Sequence, residues 1–309
     1  MKKLQIIIAI IALSSLAFFL SACGPAEQVK NDEKVVIAAT IPPLADLAKQ
    51  IIGDEGEAYS VIDAGASPHT FEMAPSDAVK LETADMVLKI GHGLDNWLIE
   101  DGNLGINARI VTVDEGIDFL MGTSHDHEHE DDHEDEDEKV DPHYWLSPKN
   151  AMMMGKNIRD ELSASFPEKE PIFTENYNSL ITSLENLDKE IHSKLAGLEN
   201  RKMIVFHDSW NYLAKDYNLE IAAVFEPSAG KEPTPQQLAE LYEVAQNENI
   251  NVIFSEPQFS NQTIRALVED LNLELLVLDP LGGDTFENRD TYEELLMYNA
   301  NTIYEGLSK

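Results

Sequence analysis

Between Pro171 and Leu198, apolar residues recur at Tyr177, Leu180, Ile181, Leu184, Leu187, Ile191, Leu195 and Leu198, mostly in steps of three and four. No glycine or proline interrupts the run after Pro171 until Gly197. This is the period of an amphipathic helix, and its length predicts a rod of roughly 40 Å, about the diameter of a small domain. Set near the middle of a 309-residue chain, such a rod reads as a spine joining two lobes.

The flanking sequence supports that division. Val35–Thr40, Ala58–Ile62, Met86–Ile90 and Ile110–Val113 are short apolar runs of buried-strand type before the spine. Met203–Phe206, Ile221–Phe225, Asn251–Phe254 and Glu274–Leu278 repeat the pattern after it. Helical segments lie between the runs, with starts expected at Pro42, Ser76, Ser147-Pro148, Thr234-Pro235 and Ser260, and a last helix from Thr291 to Tyr304 stopped by Gly306. Strands alternating with helices at this spacing predict an α/β fold whose sheets are mostly parallel. The expected domains are a lobe over 35–170, the linking helix over 171–199 and a second lobe over 200–309.

The N-terminus has its own chemistry. Met1-Lys2-Lys3 precedes an almost unbroken apolar run from Leu4 to Leu20, then Leu20-Ser21-Ala22-Cys23-Gly24. A basic start and an apolar middle are the marks of a secretory signal. The Leu-Ser-Ala-Cys ending resembles a bacterial lipobox, which makes residues 1–22 a signal peptide, Cys23 the lipidated residue and 23–34 a tether. The expected location is the extracytoplasmic face of a cell membrane, reached through the lipid anchor only. As the single cysteine of the chain, Cys23 also excludes an intrachain disulfide and any cysteine-based zinc finger. With 57 acids against 22 bases, a net charge of −35 argues against nucleic acid and favours cations.

Much of that acidity is local. Ser124–Glu138 holds four histidines (His125, His127, His129, His133) and ten carboxylates, with no apolar residue. Such a segment cannot bury enough surface to order itself, and it reads as a mobile loop that collects divalent ions weakly. Immediately after it, Asp141-Pro142-His143-Tyr144-Trp145-Leu146-Ser147-Pro148 offers one histidine between a proline and two aromatics. His69, in Pro68-His69-Thr70-Phe71-Glu72, and His207, directly after Met203–Phe206, share its loop setting near strand ends, as does Asp279 in Leu278-Asp279-Pro280-Leu281. In open α/β sheets, ligands bind beyond the carboxyl ends of strands. Two donors from each lobe would make a near-tetrahedral set for a small divalent cation. His92 is a weaker candidate for a cleft, and His192 on the spine reads as structural.

These residues resemble the metal-binding substrate-binding proteins of bacterial ABC importers, in the solute-binding family that handles zinc and manganese. The resemblance covers essentially the whole chain after the tether and is most specific at Asp141–Pro148. It implies two α/β lobes bridged by one rigid helix, with metal held between them. It also implies that His69, His143 and His207 are imidazole ligands and that Asp279 stands at a carboxylate position some members use as fourth ligand. A histidine at 207, rather than a carboxylate, and the His/acid loop favour Zn2+ over Mn2+. The implied role is capture of zinc and delivery to an ABC permease and its ATPase by a monomer that is not an enzyme. A manganese-binding homologue and a metal-dependent surface adhesin are the alternatives. A zinc hydrolase, with Glu72 or Asp208 as general base, is disfavoured because no expected helix carries a His-Glu-x-x-His pattern.

Overall fold

The computed structural model describes residues 34–100, 108–122, 140–226, 234–258, 268 and 273–309, and Val35–Lys309 form one compact unit. The signal segment with Cys23, the loop with His125, His127, His129 and His133, and the helix start expected at Ser260 lie outside the described residues.

The first lobe runs β1 (Val35–Ala39), α1 (Pro42–Ile52), β2 (Gly56–Ser60), α2 (Pro75–Glu82), β3 (Met86–Lys89), a short α3 (Trp97–Glu100) and β4 (Arg109–Thr112). Two helices follow, α4 (Pro148–Ser165) and the spine α5 (Glu170–Leu195). The second lobe runs β5 (Lys202–His207), α6 (Asn211–Tyr217), β6 (Glu220–Glu226), α7 (Pro235–Asn247), β7 (Val252–Ser255), β8 (Glu274–Val277) and α8 (Tyr292–Leu307).

Each lobe carries a four-stranded sheet in which every pairing is parallel, in the order β2-β1-β3-β4 and β6-β5-β7-β8. The order reverses between β1 and β3 in one sheet and between β5 and β7 in the other. These switch points leave crevices beyond the strand ends. The two lobes thus share one topology without a repeat visible in the sequence.

The spine α5 is amphipathic as expected, burying Phe173, Leu180, Leu184, Leu187, Ile191 and Leu195. At 26 residues it spans roughly 39 Å. His192 stands on its solvent side, near Asp188 and edge-on to Tyr217 of the second lobe. Helix α4 begins where Ser147-Pro148 places it, and the Ser147 hydroxyl accepts the Asn150 amide.

Two helix ends depart from expectation for a clear physical reason. Helix α2 starts at Pro75, with Ala74 rather than Ser76 at its N-cap, because proline fixes the first helical φ without losing a useful donor. The last helix passes through Gly306 and ends at Leu307. Gly306 is a packing glycine: a Cβ there would sit 2.8 Å from Phe254 Cζ and 3.1 Å from Leu276 Cδ1. It lets α8 lie close against β7 and β8. Gly306→Ala is therefore expected to destabilise the protein by about 1–2 kcal/mol in urea unfolding, overpacking outweighing the gain in helix propensity.

Candidate metal centre

Three imidazoles meet between the lobes. His69 comes from the loop after β2, His143 precedes the turn Tyr144–Leu146 at the head of α4, and His207 is the last residue of β5. His69 Nε2 lies 3.1 Å from His143 Nε2 and 3.2 Å from His207 Nε2. The ring centroids are 4.9 to 5.2 Å apart. A tetrahedral ion bound at the usual Zn–N distance would space its nitrogens by about 3.3 Å, close to the two spacings from His69. Among the described residues, these three form the one group of histidines and acids that could hold a metal ion.

His143 is held in the ligating tautomer. Its Nδ1 and its backbone N–H both reach Asp141 Oδ1, at 2.8 and 2.9 Å. A carboxylate there can only accept, so the ring proton sits on Nδ1 and leaves the Nε2 lone pair facing inward. Asp141 is fixed in turn by Asn211 Nδ2 on its Oδ2 and by the Tyr212 hydroxyl on its carbonyl, both from the second lobe. The sequence displayed Asp141 beside His143 but gave it no role. A carboxylate two residues from a ligand candidate was the available signal.

His143 and His207 are buried, and His69 is exposed as a residue. The ring of His69 nevertheless faces the other two. Its withdrawal from water, with the repulsion a cationic His143 would exert, pushes its pKa from 6.5 down to about 3, against a weaker opposite pull from Asp141. His69 is thus neutral at ordinary pH, the form a metal requires.

The cavity at the rings measures about 20 Å3 and is walled by Pro68, Trp145, Pro280 and Leu281, with Ser209 and Glu256 as polar lining. That is room for a single ion or one water, and far too little for a sugar or an amino acid.

Asp279 is not brought into this group. It is fully buried, and its Oδ1 accepts the amides of Leu281 and Gly282 while its Oδ2 takes Arg289 Nη1 at 2.9 Å. Asn299 pairs with its backbone on both sides. The Arg289 guanidinium lies against Phe286 and Tyr298, 4.3 and 4.5 Å from the ring centroids. The carboxylate shapes the loop whose Pro280 and Leu281 wall the cavity. A strand-end carboxylate looks alike in sequence whether it faces the cavity or a distant arginine. His92 is also elsewhere, its Nε2 2.9 Å from Asp114 and its ring 4.4 Å from Phe119. Glu72 does not line the cavity, and Asp208 Oδ1 accepts from Asn211.

Two helix-bridged α/β lobes with a three-imidazole cavity between them define a class of binding fold whose cavity has room for a single ion. The chain belongs to the family "Zinc-uptake complex component A periplasmic" (ZnuA), whose family model matches residues 37–306. It is 30% identical over 299 residues to the zinc-binding lipoprotein AdcA of Streptococcus pneumoniae (strain ATCC BAA-255 / R6), covering 96% of this chain and 58% of that relative. The chain therefore spans about three fifths of AdcA's length. A metal ABC transporter substrate-binding lipoprotein of Lactococcus lactis subsp. lactis (strain IL1403) is 27% identical over 319 residues, covering 100% of this chain and 99% of its own. A crystal structure of a ZnuA 138–173 deletion mutant with zinc bound superposes with a TM-score of 0.77 at 28% identity, over 90% of this chain and 99% of the other.

Two outcomes follow from this geometry. Between pH 6.5 and about 3 the unfolded chain protonates His69 and the folded chain does not, so the metal-free protein loses stability as pH falls through that window. Its melting temperature should drop from pH 7 to 4.5, and His69→Asn should drop less over the same range. Arg289→Met should cost a few kcal/mol in urea unfolding by stranding the buried Asp279 carboxylate.

Proposed function

We propose that this protein is the extracytoplasmic zinc-binding component of an ABC-type importer, with His69, His143 and His207 as the protein ligands. The convergence of three imidazole nitrogens in a one-ion cavity carries this reading. Imidazole sets suit zinc, whereas carboxylate-rich sets suit manganese, and Asp279 is committed to Arg289 instead of the cavity. The zinc named in the family description and in AdcA's name supports the same cargo.

In this mechanism the ion sheds its water on entry and is gripped by one ligand from the loop after β2, one from the head of α4 and one from β5. Asp141 holds His143 ready, so little reorganisation precedes binding. The protein binds and releases the ion without turnover and delivers it, as a monomer, to a permease driven by an ATPase. Cys23 supplies the lipid anchor, consistent with the lipoprotein names of both relatives. His125, His127, His129 and His133 act as weak accessory donors that raise the local zinc concentration.

Competition titrations of the chelator-stripped protein test this reading. One tight zinc site is expected, with much weaker manganese binding, and His143→Ala should abolish it. Deleting Ser124–Glu138 should remove only additional weak equivalents. Manganese binding as tight as zinc would overturn the cargo, and an unchanged tight site in His143→Ala would overturn the site.

A further inference from the structure

The three imidazoles supply donors but no charge. A divalent ion among them brings two positive charges into a cavity with apolar walls, a costly arrangement unless anions stand nearby. One buried carboxylate already touches the centre: Asp141, 3% exposed, bonded to the back of His143.

The second is Glu256, 2% exposed and lining the cavity itself. It directly follows β7, which pairs with β5 through Ile204↔Ile253 and Val205↔Phe254. Glu256 and His207 therefore emerge from neighbouring strands at the switch point of the second sheet. The Glu256 Oε1 accepts the Ser209 hydroxyl at 2.9 Å and the Trp210 indole N–H at 3.0 Å. Both donors belong to the turn that His207 opens, and the Ser209 amide bonds the His207 carbonyl at 2.9 Å. Donated hydrogen bonds favour the ionised carboxylate.

We infer, on the reading of the centre as a divalent-cation site, that Glu256 is the second counter-charge of the bound ion and the positioning residue for His207. With Asp141 it brings a loaded centre of three neutral imidazoles and one dication to zero net charge. A monovalent ion would leave that set of charges negative and a trivalent ion would leave it positive. The pair of carboxylates thus selects charge, and the imidazoles select the softness of the metal.

The test uses the full chain, stripped with chelator and titrated with Zn2+, with Ag+ as a monovalent probe and Co2+ as a spectroscopic one. Glu256→Gln keeps an oxygen for Ser209 and Trp210 but removes the charge. It should weaken Zn2+ by 10- to 100-fold and leave the Co2+ visible spectrum unchanged. The loss in log affinity for Ag+ should be about half that for Zn2+, as Coulomb attraction scales with the ion's charge. Glu256→Asp, with its charge kept, should recover most of the Zn2+ affinity. Equal losses for Ag+ and Zn2+, an aspartate variant as weak as the glutamine one, or an altered Co2+ spectrum would overturn the counter-charge role. If the unaltered chain fails to bind zinc, the ion-site reading falls first and this inference with it. If the unaltered chain binds and Glu256→Gln binds as tightly, this inference alone falls.

Discussion

Two sheets that exchange no strand can hold imidazole nitrogens 3.1 and 3.2 Å apart only if the gap between them is fixed. Trp145 does much of this. It is buried at the head of α4; its indole N–H donates to the Pro280 carbonyl of the second lobe, and its own carbonyl accepts the Tyr292 hydroxyl. Ser147 and Lys149, next in sequence, reach Asp216 on the far side, and Tyr292 N–H returns to Asp46 of α1. His143 thus grows from the segment that seals the lobes, and the site inherits the stiffness of the seal. Apolar residues of both lobes join one core across α4 and α5. That is a poor hinge: opening would expose the core and break the Trp145 and Asp216 bonds together.

The same constraint explains what the sequence could display. The spine was legible because a 26-residue helix writes its buried stripe at three- and four-residue steps, from Leu180 to Leu195. The strands were legible as short apolar runs, with ends misjudged by a residue or two where pairing, not composition, sets the limit. The three histidines were legible because each stands near a strand end or a helix start with proline or aromatic company. Gly306 was not, since a glycine that stops a helix and one that admits a neighbouring ring look the same until Phe254 is seen. Nor was the partner of Asp279. Only the folded chain shows Arg289 taking its outer oxygen and two amides taking the other.

Charge is distributed accordingly. The chain is strongly acidic overall, yet the carboxylates nearest the imidazoles are few and individually held: Asp141 by Asn211, Glu256 by Ser209 and Trp210, and Asp279 by Arg289.

The three histidines are unequally exposed as residues, which gives the proposed grip a direction. His143 and His207 are buried, while His69 is an exposed residue on a loop with a left-handed turn at Gly65. On the proposed zinc reading, a competitor arriving from outside meets the bond to His69 first, and two-point attachment to the inner rings is what remains when that bond yields. Departure is then stepwise, and the lifetime of the loaded state is set at one loop, not by the separation of two lobes.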